Sequence, residues 1–155
     1  MLGDLNLPVF LDVQGYTRGV QHKKVYPSVS GHLAAGLMPT HIVKANGIEH
    51  QLILDFYQMN LAELMVRYNI GEFVVTMGKN GGFVRTQSGR TFKYAAHPVD
   101  AAADTTGAGD VFFAAYIVSR FAGQMHIPDA CRYAARIAAR QVAGNYITLN
   151  QLGLD

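Results

Sequence analysis

Residues 104–121 place the tightest limit on the fold. Asp104-Thr105-Thr106-Gly107-Ala108-Gly109-Asp110 opens directly into a stretch with almost no polar face. From Ala108 to about Ala122 the spacing predicts a helix whose only charges are Asp110 and Arg120, with Val111, Phe112, Phe113, Ile117, Val118 and Phe121 spread around it. A helix that is apolar on every side has to be covered, by the helical layer of a sheet or by another subunit. Its first backbone N–H groups still need partners. Two glycines at that end let a ligand approach the bare backbone. Free N–H groups and the positive end of the helix dipole together make an anion site. An aspartate one step inside such a site repels a bound anion, unless it acts as general base toward a hydroxyl that attacks a phosphoryl group. Asp110 could also favour the helix start electrostatically, worth roughly 0.3–1 kcal/mol. Two acids, two threonines and two glycines in seven residues are a density that capping alone does not require.

The remaining chain supplies what that helix would pack on. Pro8-Val9-Phe10-Leu11-Asp12-Val13 and Thr40-His41-Ile42-Val43-Lys44 read as buried strands of a parallel sheet. The polar stretch from Gln14 to Gly31 reads as loop or a small excursion. A helix can start at Ala45-Asn46-Gly47-Ile48-Glu49, and Asn60 caps another that carries Leu61, Leu64, Met65 and Tyr68 on one face. Phe73–Met77 is a β-branched strand, and Gly78-Lys79-Asn80-Gly81-Gly82 turns it into a hairpin partner, Phe83–Thr86. A further turn leads to Thr91–Ala95, and a last helix starts near Pro128 and ends before Gly144-Asn145. Strands alternating with helices, plus one antiparallel hairpin, predict an α/β sheet with helices on its faces. No repeat and no linker interrupts it, so residues 1–155 are expected to form a single domain.

Composition removes several classes of function. Half of the 155 residues are hydrophobic, enough to bury a core and too many for disorder. Thirteen Lys plus Arg against eleven Asp plus Glu leave +2, and the richest basic patch is only Lys23-Lys24 beside His22, so no nucleic-acid partner is expected. Met1 to Val13 is interrupted by Asp4, Asn6 and Asp12, which suits neither a signal peptide nor a span; no membrane role is expected, and the expected compartment is the cytosol. Cys131, the single cysteine, reads as a small core residue. The six histidines form no i,i+4 pair, which argues against a histidine metal site. Arg132, Arg136 and Arg140 form an i,i+4 stripe, a solvated helix face that could also touch phosphate. The Walker pattern fails around Gly78-Lys79, and the dinucleotide fingerprint fails because Phe112 stands at its third glycine.

Asp104-Thr-Thr-Gly-Ala-Gly-Asp110 resembles the C-terminal signature of the ribokinase-like (PfkB-type) carbohydrate and nucleoside kinases. Other segments resemble that family in the same order. Asp12-Val-Gln-Gly15 with Arg18 is similar to its strand and loop after the lid-bearing half, and Lys44-Ala-Asn46-Gly-Ile-Glu49 to its Asn-x-x-Glu motif. Val75-Thr76-Met77-Gly78-Lys79-Asn80-Gly81-Gly82 is similar to its nucleotide-side turn.

The resemblance implies a ribokinase-like three-layer α/β sandwich, mostly parallel with an antiparallel hairpin, of which this chain matches the C-terminal, nucleotide-binding half. It implies ATP-dependent transfer of a phosphoryl group to a sugar hydroxyl. Asp110 would be the base, and the backbone of Gly107, Ala108 and Gly109 the anion hole. Asn46 and Glu49 would organise Mg²⁺ and its waters near the ATP phosphates, while Thr76, Gly78 and Gly81 would line the nucleotide side. Asp104 and Thr106 fall where relatives often hold a monovalent cation. Without the resemblance, Asn46 and Glu49 read as a capped helix start. Relatives carry an additional N-terminal half with most of the sugar contacts, so self-association or pairing with such a half is expected. Two other readings stay open: a non-catalytic nucleotide-binding or oligomerisation module, and a kinase of hydroxymethyl-pyrimidine or pyridoxal type.

Overall fold

The fold comes from a computed structural model, which describes residues 7–99 and 104–145. The chain packs as two compact units, Met1–Met77 with Gly82–Lys93, and Gly78–Gly81 with Tyr94–Asp155.

The first unit is built on a sheet. Its strands are β1 (Phe10–Asp12), β4 (Ile42–Asn46), β5 (Glu72–Thr76), β6 (Gly82–Thr86) and β7 (Thr91–Tyr94), in spatial order β1-β4-β5-β6-β7. The last residue of β7, Tyr94, belongs to the second unit. β4 runs parallel to both β1 and β5, whereas β6 returns antiparallel to β5. The central strands are nearly continuous apolar runs because both of their faces are covered: Val43, Phe73 and Val74 are fully buried. On one face, Val43, Phe73 and Val75 pack with Leu33 and Leu37 of α1 (Leu33–Leu37), Ile53 of α2 (Gly47–Tyr57), and Leu64 and Met65 of α3 (Leu61–Arg67).

The predicted asparagine starts are present. Asn60 accepts from the Glu63 N–H at 3.0 Å while Glu63 accepts from the Asn60 N–H at 2.8 Å, closing the first turn of α3. α2 is closed the same way by Asn46 and Glu49.

Three elements go beyond the sequence reading: two strands and a short helix. Within the stretch read as loop, β2 (Arg18–Gln21) pairs antiparallel with β3 (Lys24–Pro27). The turn between them runs through His22 and Lys23, both left-handed with φ of 49° and 62°. Hairpin turns of this kind ordinarily advertise themselves by Asn-Gly or Asp-Gly, and neither is present here. α1, with five residues, is too short to show a helical period.

The second unit is helical. α4 (Ala108–Phe121) packs along α5 (Ile127–Val142). α5 presents Ala130, Cys131, Ala134, Ala135 and Ala139 as a buried face of small residues, which admits the bulky Phe112, Phe113 and Tyr116 of α4. Cys131 is buried there, as read from its flanks. Tyr94 stacks on Phe112 with ring centroids 5.0 Å apart, and its burial holds the phenol above its ordinary pKa. α5 ends in a glycine motif: Gly144 is left-handed at φ 77°, its N–H meets the Gln141 carbonyl, and the Asn145 N–H meets that of Arg140. Among the described residues of this chain, α4 is not covered on every side, which leaves the expected cover by another subunit untested. Val118 and Phe121 stand 59% and 47% exposed, because α5 covers only one flank.

Candidate active site

In the first unit, the residues singled out by the sequence gather at one end of the sheet. Asn46 ends β4, Thr76 ends β5, and the two are register partners across parallel strands. Open α/β sheets place ligands outside the carboxyl ends of their strands, and Asn46 and Thr76 stand at that edge. Asn46 is also the N-cap of α2, with Oδ1 accepting from the Glu49 N–H at 2.9 Å and the Asn46 N–H donating to Glu49 Oε2 at 2.8 Å. Glu49 is buried, and one of its carboxylate oxygens is engaged by the helix's own start. The capped-helix reading is therefore realised in full, and the second carboxylate oxygen lies outside the capping box. Glu49 and Asn46 line a cleft of about 150 Å³ with Arg18, Tyr26 and Ile48. Mg²⁺ usually keeps several waters and takes one or two carboxylates plus phosphates, so a single half-engaged carboxylate on such a cleft fits it. Among the described residues no three His, Cys, Asp or Glu side chains come together as a metal cage.

The same end of the sheet holds an ion pair that the sequence reading missed. Lys44 lies in the middle of apolar β4 at 4% exposure, and its Nζ donates to Asp12 Oδ2 at 2.6 Å. Asp12 is the register partner of Lys44 on β1. A buried ammonium without a carboxylate is strongly disfavoured, so Lys44 inside an apolar strand was itself the signal that an acid must stand opposite. The other Asp12 oxygen accepts from the Gln14 N–H at 3.0 Å and starts a short 3-10 turn, Val13–Tyr16. Gln14, with its amide oriented to accept, holds both terminal nitrogens of Arg18 at 2.6 and 2.7 Å. The Asp12–Arg18 segment is thus wired internally.

In the second unit, α4 starts differently. Its N-cap is Gly107, left-handed at φ 73°, and no side chain caps the helix. A Cβ built on Gly107 would meet no atom of the described residues within 4 Å. Val111 N–H already bonds to the Gly107 carbonyl at 2.9 Å, so the regular ladder begins there. Asp110 lies exposed in the first turn. Ahead of the helix, Asp104 Oδ1 accepts from the Thr106 N–H at 2.8 Å. Hydrogen bonding from Thr106 to the ionised form holds the Asp104 carboxyl below its ordinary pKa. A charged Asp104 suits a cation, but the side chain is fully exposed.

The two glycines of the turn play unlike parts. Gly78 is left-handed at φ 55° with open space where a Cβ would go. At Gly81, φ 77°, a Cβ would stand 2.1 Å from the Tyr94 carbonyl oxygen. The missing side chain of Gly81 therefore serves close packing of the chain on itself.

The arrangement joins an uncapped helix N-terminus with an acid in its first turn, which suits acceptance of a proton beside a bound phosphoryl group. Comparison with known proteins agrees in fold. Residues 16–147 match the profile of the pfkB family carbohydrate kinases. No curated protein matches the chain significantly. Among solved structures, a Burkholderia thailandensis nucleoside kinase in complex with inosine superposes with TM-score 0.74 at 22% identity, over 92% of this chain and 42% of that one. A Methanocaldococcus jannaschii nucleoside kinase, described as an archaeal member of the ribokinase family, gives 0.75 at 17% identity, over 96% and 48%. Arabidopsis thaliana ribokinase complexed with ribose and ATP gives 0.71 at 22% identity, over 99% and 49%. The chain thus spans less than half the length of each of these three structures. Its fold is ribokinase-like, with a mostly parallel sheet as expected, and the profile covers most of its length. The chain belongs to the pfkB family of carbohydrate kinases.

Proposed function

We propose that this chain is the C-terminal, nucleotide-binding half of an ATP-dependent phosphotransferase that acts on a hydroxyl group of a sugar. The observation that carries the reading is the start of α4: a left-handed glycine with no described atom within 4 Å of where a Cβ would go, no side-chain cap, and a carboxylate in the first turn. The N–H groups of Gly107, Ala108 and Gly109 receive the negative charge of the phosphoryl group in flight. Asp110 takes the proton of the acceptor hydroxyl as its oxygen attacks. Phosphoryl transfer depends on positioning and electrostatic stabilisation more than on covalent chemistry, and both tasks suit fixed backbone donors at a helix end.

Glu49, through its second carboxylate oxygen, and Asn46 hold the waters of Mg²⁺, which when bound neutralises charge on the donor phosphates. Thr76 and Gly78 line the nucleotide side, and Gly81 shapes the turn between them and β6. Asp104 and Thr106 are the candidates for a monovalent cation. The acceptor is a sugar or the sugar of a nucleoside, by analogy with two of the named structures, one in complex with inosine and one with ribose and ATP.

A second reading has its own support. The capping box engages Glu49, and the chain spans 42–49% of the solved kinases quoted above. A nucleotide-binding or oligomerisation module without catalysis would keep both features. Calorimetric titration with Mg-ATP separates the two, joined to an assay of phosphoryl transfer to a panel of pentoses, hexoses and nucleosides. Binding that Gly107→Val abolishes, with transfer that Asp110→Asn abolishes, is the expected result. Binding with no transfer to any acceptor selects the module. Transfer unaffected by Asp110→Asn removes the assignment of the base.

A further inference from the structure

The second unit contains a cavity of about 250 Å³ whose lining includes none of the residues assigned to catalysis. His97 and the apolar Pro98 and Val99 form one side; Arg136, Arg140 and Asn145, on the last turns of α5 and just beyond, form the other. Among the described residues, no acidic side chain lines it.

The three arginines of α5 differ in their surroundings. Arg132 is paired with Asp129. Arg136 and Arg140 have no ion-pair partner among the described residues, and both are exposed. They lie four residues apart, so their guanidinium groups project from one face, where like charges repel. Arg136 is steadied over the Tyr133 ring, 5.6 Å from its centroid. An unneutralised pair of guanidinium forks beside a histidine and a carboxamide offers many N–H donors to one small volume. That donor set matches a phosphate dianion, which accepts through three oxygens and pairs bidentately with arginine. The volume falls short of the ~300–1000 Å³ of pockets for drug-sized ligands, so it accommodates a phosphate and the few atoms next to it.

We propose that this cavity binds the phosphate group of a small phosphorylated ligand, as an anion site separate from the start of α4. The site is placed to influence that start. Directly after Arg140, Gln141 Nε2 donates to the Thr106 carbonyl at 3.5 Å, and the Val142 carbonyl accepts from the Asp104 N–H at 3.3 Å. The end of α5 that carries the arginines therefore also holds the segment leading into α4. The proposal stands on Arg136, Arg140 and His97 and does not require phosphoryl transfer by Asp110.

The test is titration of the full chain with inorganic phosphate at low ionic strength, read by amide chemical shifts and by calorimetry. Circular dichroism confirms that each variant is folded. Arg136→Gln and Arg140→Gln remove the charge and the guanidinium fork while keeping an unbranched polar side chain of similar helix propensity. Each is expected to weaken phosphate binding at the α5 site by about tenfold, the worth of one charge-assisted contact. In the double variant, shifts at Asn145 and His97 should vanish while those at Gly107–Asp110 persist; Gly107→Asn should do the reverse. Phosphate shifts at His97 and Asn145 that survive the double substitution overturn the proposal. So does their reproduction by chloride at equal ionic strength, and so does the absence of phosphate binding at α5 in the native chain.

Discussion

At the start of α2 the free N–H groups meet a carboxamide and a carboxylate from the helix's own first turn; at the start of α4 a left-handed glycine stands in the capping position and no side chain reaches back. Both helices face the same problem, since the first turn of any helix leaves donors without intrahelical partners. α2 answers it with Asn46 and Glu49, and needs no ligand to be complete. At α4 the Ala108 N–H meets the Thr105 carbonyl at 3.3 Å, and no side chain caps the turn. An acid stands in the first turn of each, yet Glu49 is buried and bonded within its own helix start, whereas Asp110 is exposed. A carboxylate three positions after the cap therefore has a structural task in α2 and stands exposed in α4, where we propose that it acts as the base. Capping and function are told apart by what the carboxylate touches.

The largest effect that can break this contrast lies at Asp110. Asp110→Asn keeps size and polarity but cannot accept the proton, so phosphoryl transfer should fall by about 10²–10⁴-fold while Mg-ATP binding is retained, measured by coupled assay and calorimetry. An equal loss of binding would mean that Asp110 supports the helix start as Glu49 does. Next is the buried pair in the first unit. Asp12→Ala leaves the Lys44 ammonium without its carboxylate and should cost about 3 kcal/mol in urea unfolding, the low end for a broken buried pair because the Asp12 side chain is 24% exposed. Adding Lys44→Met should recover most of that loss; failure to recover it would show that Asp12 matters mainly through the 3-10 turn it caps.

The two helix starts can be compared directly by exchanging their chemistry. Asn46→Ala should lower stability by about 1 kcal/mol, as loss of an N-cap does. Gly107→Asn tolerates the left-handed backbone and should change stability by less than about 0.5 kcal/mol, yet weaken Mg-ATP by placing a side chain at the helix start. If Gly107→Asn binds Mg-ATP normally, the anion hole is elsewhere. The smallest effect concerns His50 of α2, which packs edge-on to Phe73 and Phe83 at 5.9 and 5.8 Å, with Nε2 buried and unpartnered. Burial holds its pKa below the ordinary 6.5. The unfolded chain therefore takes up the proton more readily than the folded one. Stability should decline as pH drops below about 6.5, by at most ~1.4 kcal/mol per pH unit, and His50→Leu should flatten that slope in unfolding midpoints.

Much of this was legible in the residues. β4 and β5 announced themselves as apolar runs of β-branched and aromatic residues, and Asn46 and Asn60 announced the helices that follow. Gly107 and Gly109 pointed to a helix start bare of side chains, and α4 does begin at a left-handed Gly107 with no side-chain cap. The β2–β3 hairpin was hidden because His22-Lys23 adopts a turn that other residues usually mark. The Asp12–Lys44 pair was hidden because its partners are 32 residues apart and meet only through strand register.

Local chemistry alone determined that Asn46 and Asn60 cap helices, that Gly144 ends α5, and that the chain carries the seven-residue run of its family. These features depend on bonds between residues a few positions apart, which any solvent-exposed segment can form. Tertiary structure decided the rest. It fixed which face of β4 holds Lys44, showed that Gly81 must lack a side chain to clear the Tyr94 carbonyl, and left Val118 and Phe121 of α4 uncovered by α5. It also brought His97 against Arg136 and Arg140, although about forty residues of chain separate them. Burial and register depend on what the fold places opposite a residue, and sequence spacing does not encode that.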